Sequence, residues 1–255
     1  MQRRGLLQLI GGLFAARLGF GAASAMPLRA AGIPYPRIET TGANALAEWE
    51  RLRRAGNGWP VIVGGDEALA LIGEQFEAEG NAVAVDVILA ASRKIRVPED
   101  LFARLDAERL SEEDKAALAG DWPESPPPET GLTVASDILT GKPHDRVHIL
   151  LIPTSDGAEV PAYLRWGGWN ECPAPEMHVA VLRDWHARYG AELVGLSGDI
   201  LNLRAKRRPE TREAALTLAT EQFFYCTDIV EQGVGSTSAL AATLMSSDWW
   251  FFWWD

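Results

Sequence analysis

Apolar and polar positions follow two different periods along this chain, and the changes of period mark out its elements. In residues 41–56, TGANALAEWERLRRAG, apolar side chains at Leu46, Trp49 and Leu52 recur at helical spacing between Thr/Asn start signals and a glycine stop. That pattern predicts an amphipathic helix. WPVIVGG (59–65) has the β-branched run and closing glycines of a short strand. Asp66 is then placed to cap a second helix, EALALIGEQFEAEG. Residues 82–94 are read as helical, with AVAVDVIL also open to a strand reading, and 97–120 as two short acid-rich helices. A helix cannot run through DWPESPPPETG (121–131), with its four prolines, so this segment is expected to be a linker and a domain boundary.

Beyond the linker the period-2 signal returns. RVHILLIPT and EVPAYLRW are strand-like and flank the turn sequence SDGA, which predicts a hairpin. PAPEMHVAVLRDWHARYG reads as a helix with proline near its start and Gly190 at its stop, and AELVGLSGDILNLRAKRR as two short strands about Ser197-Gly198-Asp199. A long helix is expected from Thr211 to Gly233, and a further one in STSALAATLMSSD. The sequence then ends on four tryptophans and two phenylalanines, residues 249–254, with no helical periodicity. Left in water such a run invites aggregation, so it is expected to be a buried strand, with a central place in the sheet open to it and a partner or ligand groove as the alternative. The order β-β-α-β-β-α-α-β predicts an α+β fold: a helix-rich N-terminal region (26–120), the linker, and a C-terminal domain (132–255) whose mixed sheet is layered with helices and ends in a buried aromatic strand.

Composition adds class and compartment. With 255 residues, 47% hydrophobic, the chain is long enough to bury a core without disulfide or metal staples. Its formal charge of −11 repels phosphate backbones and anionic lipids, which argues against nucleic acid as a partner. The one basic run, RAKRR (204–208), reads as a solvated strand end. Residues 1–25 carry Arg3, Arg4 and Arg17 and no acid, then a short apolar stretch and Ala23-Ser24-Ala25. These are the parts of a cleavable export signal, too short and interrupted to be a membrane span, and the paired arginines resemble the twin-arginine motif. The expected location is periplasmic or secreted after cleavage near Ala25; with Met26 as the true start it would be cytoplasmic.

Candidate chemistry gathers in the last hundred residues. RWGGWNECP leaves a predicted strand and enters a helix through two glycines and a proline, so Trp169 and Asn170 either face a ligand or pack a corner. On the long helix, Leu216, Ala219, Phe223, Cys226 and Val230 form an inward stripe. Glu221, Tyr225, Asp228 and Gln232, spaced four, three and four, line the opposite face, either as a ligand-positioning set or as a solvated surface. Cys172 and Cys226, the only cysteines, are a candidate disulfide pair or two buried thiols. Cys172, His178, His186 and Cys226 lack the spacing of a standard zinc motif, no Walker lysine or dinucleotide fingerprint follows Gly167-Gly168, and no Gly-x-Ser-x-Gly elbow occurs. Neither a metal nor a cofactor is expected.

The blocks VPAYLRWGGWNECPAP, His178, LRDWHARYGAELV, EQFFYCTDIVEQG and FFWWD, in that order, resemble the bacterial domain-of-unknown-function family 4253 over about residues 145–255. The resemblance implies a set of motif positions, Gly167, Gly168, Trp169, Asn170, Cys172, Pro173, Tyr225, Cys226, Asp228, Gln232, Trp254 and Asp255, and no established chemistry. The functional expectation is a noncatalytic binding or protein-interaction domain with an unidentified protein or small-molecule partner. The alternative is a hydrolase-like or other small-molecule enzyme with its site between GGWNECP and the Glu221/Asp228 face.

Overall fold

The computed structural model describes residues 32–78, 82–105 and 111–255. The expected export leader and Met26 lie outside the described residues.

The first strand, β1 (Arg37–Thr40), was not signalled by the sequence pattern; it leads into α1 (Gly42–Ala55), β2 (Trp59–Gly64) and α2 (Asp66–Glu77). Helix α1 buries Ala45, Trp49 and Leu52, carries Arg53 and Arg54 in its last turn, where the helix dipole favours cations, and stops on Gly56 at φ 71°. Strand β2 is buried at every position, as its unbroken apolar run requires. Asp66 does not cap α2. It is the first helical residue, and its carboxylate turns to the His148 imidazole and to Arg146 instead.

Short helices α3 (Val85–Ser92), α4 (Glu99–Arg104) and α5 (Glu112–Ala119) follow, then a single 3-10 turn at Thr133–Ala135 and β3 (Val147–Ile152). The expected hairpin partner of β3 is absent. A 3-10 turn at Gly157–Glu159 runs into α6 (Val160–Leu164), which takes up most of EVPAYLRW, with Pro161 pre-set for a helix start and Arg165 ending it at φ 52°. The chain continues through α7 (Pro175–Tyr189), β4 (Glu192–Leu196), β5 (Ile200–Arg204), α8 (Arg212–Tyr225), a π-helical turn at Ile229–Val234, α9 (Thr237–Ser246) and β6 (Trp249–Trp253). Thr211 and Ser236 cap α8 and α9 by accepting the backbone N–H of Ala214 and Ala239. Helix α8 is shorter than expected: Cys226 is extended (φ −150°), so the chain turns before Asp228 and Gln232.

The six strands form one mixed sheet in the order β1-β3-β2-β4-β5-β6, in which β2 and β4 are parallel and the other neighbours antiparallel. The fold is therefore α+β. Strands before and after the proline-rich segment interleave: β3 sits between β1 and β2, and the larger of two hydrophobic clusters among the described residues draws on Trp49 and Ile62 as well as on Trp185 and Phe252. Residues 121–131 thus connect elements of one sheet and one core.

The aromatic strand corrects an expectation. β6 lies at the edge of the sheet, beside β5, and buries alternate residues. Trp250, Phe252 and Trp254 point into the core, whereas Trp249, Phe251 and Trp253 are half-covered on the other face. Because both faces carry aromatics, the sequence shows no alternation even though the burial does. At the outer edge, the Cys226 thiol donates to the Trp253 carbonyl (2.9 Å).

Candidate functional site

The glycine-tryptophan corner between α6 and α7 is built by backbone conformations that few residues adopt. Gly167, Gly168 and Asn170 all have positive φ (115°, 86° and 46°), and a side chain at Gly167 would come within 2.2 Å of the Pro173 carbonyl oxygen and 2.7 Å of His178 Nε2. The loop closes on itself through Gly168 N–H to Pro173 O and Cys172 N–H to Trp169 O, both 2.8 Å. Trp166 anchors it to the sheet by donating Nε1–H to Ser197 O (2.8 Å), and Trp169 packs edge-on against Trp166 at 5.1 Å.

Under this corner runs a chain of buried polar groups. Cys172 Sγ lies 3.4 Å from His178 Nε2, and His178 Nδ1 lies 2.5 Å from the Tyr225 hydroxyl. Burial drives each group toward its neutral form: it pushes the Cys172 thiol and the Tyr225 phenol well up, and drops His178 to about 3, with the nearby Arg104 cation adding to the fall. The phenol keeps its proton and donates it to Nδ1, which puts the imidazole N–H on Nε2, facing the Pro173 carbonyl and the Cys172 sulfur. The result is a neutral thiol, a neutral imidazole and a neutral phenol, the opposite of the thiolate-imidazolium pair that makes a cysteine nucleophilic. Cys226 is likewise raised, to about 12, by burial. Both cysteines are free and buried, and their sulfurs serve different partners.

Arg104, for which the sequence offered no signal, holds the corner to α8. Its Nη1 donates to Glu171 O (2.7 Å), and its Nη2 to Phe224 O (2.8 Å) and Tyr225 O (3.1 Å), two carbonyls left open at the helix end.

The six residues singled out as binding candidates divide into two groups. Asn170, Tyr225 and Asp228 converge on Trp254 and Asp255, and Trp169 stands beside them on Trp166. Asn170 Nδ2 donates to Asp255 O (2.7 Å), Asp228 accepts Asp255 N–H (3.2 Å), and Gln232 donates to the other Asp228 oxygen (2.8 Å). The Trp254 indole packs 5.5 Å from Trp166, 5.6 Å from His178 and 5.4 Å from Tyr225, filling the space between them. Glu221 belongs elsewhere. It is 2% exposed, accepts Trp185 Nε1–H (3.1 Å) and pairs with the Arg188 guanidinium, so the expected polar face of the long helix turns inward. The expected single face of four residues is not formed: the helix ends at Tyr225, which leaves Asp228 and Gln232 beyond it, and Glu221 turns to an arginine 33 residues away.

His186, considered with His178 as a metal ligand, instead makes a hydrogen bond to the Ala191 carbonyl (3.0 Å). Among the described residues no three His, Cys, Asp or Glu side chains are arranged to hold a metal, and no helix is long and apolar enough to cross a membrane. The basic run is tied down within the molecule: Arg204 pairs with Glu50, Lys206 with Glu192, Arg208 with Asp248, and Arg207 donates to the carbonyls closing α7.

Open concave surface lies at the opposite ends of β4 and β5 from the corner. Two adjoining clefts, about 520 and 360 Å³, share Arg53, Glu192 and Lys206 as their partition. No local pattern signals them, because Arg53 comes from α1, Glu192 from β4 and Lys206 from the turn after β5. No curated protein and no solved structure matches the chain. Residues 148–255, which span all but the first residue of β3, everything through β6, and the whole glycine-tryptophan corner, match the family described as Domain of unknown function (DUF4253).

Proposed function

We propose that this protein is an exported, noncatalytic binding domain, in which the glycine-tryptophan corner is an architectural node and binding takes place elsewhere on the surface. The observation that carries this reading is the state of Cys172 and His178: a nucleophile and base in contact, yet sealed under Trp166 and Trp254 and held neutral by burial. Groups in that state stabilise a corner through packing and hydrogen bonding, and they lack both access and the charge separation that acyl transfer needs. The enzyme alternative places its site between the corner and the Glu221/Asp228 face, a space that Trp254 and Asp255 occupy.

A thermal-shift screen of small molecules, followed by mass spectrometry of each stabilising compound after incubation, tests this. The expected result is a ligand that raises the melting temperature in a dose-dependent way, is recovered chemically unchanged, and binds a Cys172→Ala variant equally well. Turnover of the compound by the parent protein that disappears in Cys172→Ala would overturn the proposal.

Export rests on the order of parts in residues 1–25. In a bacterial host with a working twin-arginine pathway, the chain is expected in the periplasmic fraction, and a variant carrying Arg3→Lys with Arg4→Lys is expected to remain in the cytoplasm as precursor. Equal distribution of the two would reject the export assignment.

A further inference from the structure

The paired clefts carry a charge balance opposite to that of the chain. Against a net −11 overall, their walls hold five Arg or Lys side chains and four carboxylates. We propose that these clefts bind a small dianion, a molecule with two carboxylate or phosphate groups, and this gives a place and a ligand class to the binding function proposed above, on which it rests.

The partition between the clefts already contains an anion site with a protein carboxylate in it. Glu192, with its side chain 15% exposed, accepts from Lys206 Nζ at 2.9 Å and sits 3.4 Å from Arg53 Nη2. Two cations thus converge on a volume that fits one carboxylate, and Glu192 is the internal stand-in for a ligand group.

The guanidinium in this site is fixed in place. It lies 3.6 Å from the centroid of the Trp59 ring and 5.9 Å from that of Trp49. Both indoles are themselves anchored, Trp59 by Nε1–H to Leu193 O (2.9 Å) and Trp49 by Nε1–H to Pro60 O (2.8 Å). Arg53 Nε is buried without a hydrogen-bond partner among the described residues, an unfavourable arrangement that the fold tolerates in holding the guanidinium there. A planar, stacked arginine presents its remaining N–H groups in a rigid fork suited to oxyanions.

The cations of the walls keep donors to spare after their ion pairs form. Glu50 is engaged by Arg204 (3.1 Å) and Arg54 (3.8 Å), Asp248 by Arg208 (2.7 Å), and Asp156 by Arg183 (3.6 Å). Each guanidinium carries five N–H donors, and these pairs use one or two of them. A cationic ligand would have to compete for carboxylates already taken; an anionic one meets free donors. The second oxyanion follows from the geometry: the first cleft has Arg204 beyond the partition and the second has Arg183, so a ligand can place one group on each side of Lys206. Volumes of about 520 and 360 Å³ are within the range of small-molecule sites.

Isothermal titration of the purified protein with inorganic pyrophosphate and with succinate, in sodium chloride at matched ionic strength, tests the assignment. Saturable binding of at least one probe is expected. Heat from pyrophosphate alone would assign a phosphate ligand, from succinate alone a dicarboxylate, and from both a site that reads charge. Lys206→Gln, at a side chain 60% exposed and therefore compatible with folding, is expected to weaken binding about tenfold, the equivalent of roughly 1.4 kcal/mol. Glu192→Gln, which removes the competing carboxylate, is expected to strengthen it several-fold. No saturable heat with either probe, or binding indifferent to Lys206→Gln, would overturn the dianion assignment. A neutral ligand emerging from the thermal screen while both probes fail would reject the ligand class and leave the binding function standing, whereas Cys172-dependent turnover would reject the function itself.

Discussion

Phe252→Ala is expected to lower the free energy of unfolding by about 3–5 kcal/mol, the range for removing a buried aromatic side chain, while Trp254→Phe changes it by no more than about 1 kcal/mol. Phe252 is fully buried, stacks on Trp185 at 5.5 Å, meets Tyr225 edge-on at 5.0 Å and lies beside Trp254. Its ring has no polar atom, so truncation loses burial and aromatic contact and leaves a cavity among rigid neighbours. Trp254 differs in one respect. Its Nε1 is buried without a hydrogen-bond partner among the described residues, which costs roughly 1–3 kcal/mol, and phenylalanine at this position removes that penalty along with part of the contact area. The two losses nearly cancel. Urea unfolding followed by far-ultraviolet circular dichroism measures both variants. A loss below about 1 kcal/mol for Phe252→Ala would mean that the edge strand is not packed into the core as described.

How much of this was legible in the sequence depended on whether local pattern or distant partners decided each element. Helices α8 and α9 start at the capping residues Thr211 and Ser236, because a cap is a contact between residues three apart, and α7 starts at its proline; α1 follows Thr41 without a side-chain cap. Strand β2 was legible from its unbroken apolar run, and β3, β4 and β5 from theirs. EVPAYLRW was misread because Val160, Ala162, Leu164 and Trp166 alternate like a strand, while all four are in fact buried on and after a single helical turn; so short a run fits both periods. The edge position of β6 was hidden by aromatics on both faces. Strand β1, four residues of mixed polarity, owes its existence to pairing with β3 from 110 positions away, Arg37 opposite Leu150 and Thr40 opposite Val147.

The same distinction runs through the site. The turn at Gly167-Gly168 was readable as glycine geometry: both have positive φ, and at Gly167 a side chain would meet the Pro173 carbonyl and the His178 ring. The inward turn of Glu221 was not: a carboxylate in a helix reads as solvated unless Arg188 and Trp185 are known to face it, and those come from a different helix. Asn170 and Asp228, far apart in the sequence, share a partner that motif spacing does not reveal: both hydrogen-bond the backbone of Asp255. Residues that cluster by motif thus mark a structural joint, and the cleft with room for a ligand draws one of its two key cations from α1, outside the part of the chain that the family model matches.

Acid is expected to unfold this protein through His178. Its imidazole is held near 3 in the folded chain against an ordinary value of 6.5, so the unfolded state binds the extra proton throughout that interval. Folding stability contributed by the neutral ring is complete above about pH 6.5 and is lost as the pH falls toward 3, by about 1.4 kcal/mol per unit at full slope and about 2 kcal/mol by pH 5. Other groups act mainly outside the upper part of this window. The carboxylates of Asp66, Asp100 and Asp137 are lowered by their hydrogen bonds, so what they contribute is lost only below their ordinary value of 3.8. Asp199 is raised by burial, which favours the folded state as it protonates and so offsets part of the His178 loss toward the acid end. Denaturation at a series of pH values from 8 to 5 should therefore slope downward for the parent protein and run flatter for His178→Gln, whose amide can still accept the Tyr225 hydroxyl. The ring itself supplies a second readout, independent of any change in fold: its NMR resonances should remain those of a neutral imidazole down to about pH 4. A midpoint near 6.5 would mean that water reaches His178, and with it the thiol of Cys172, which would return the glycine-tryptophan corner to the list of reactive sites.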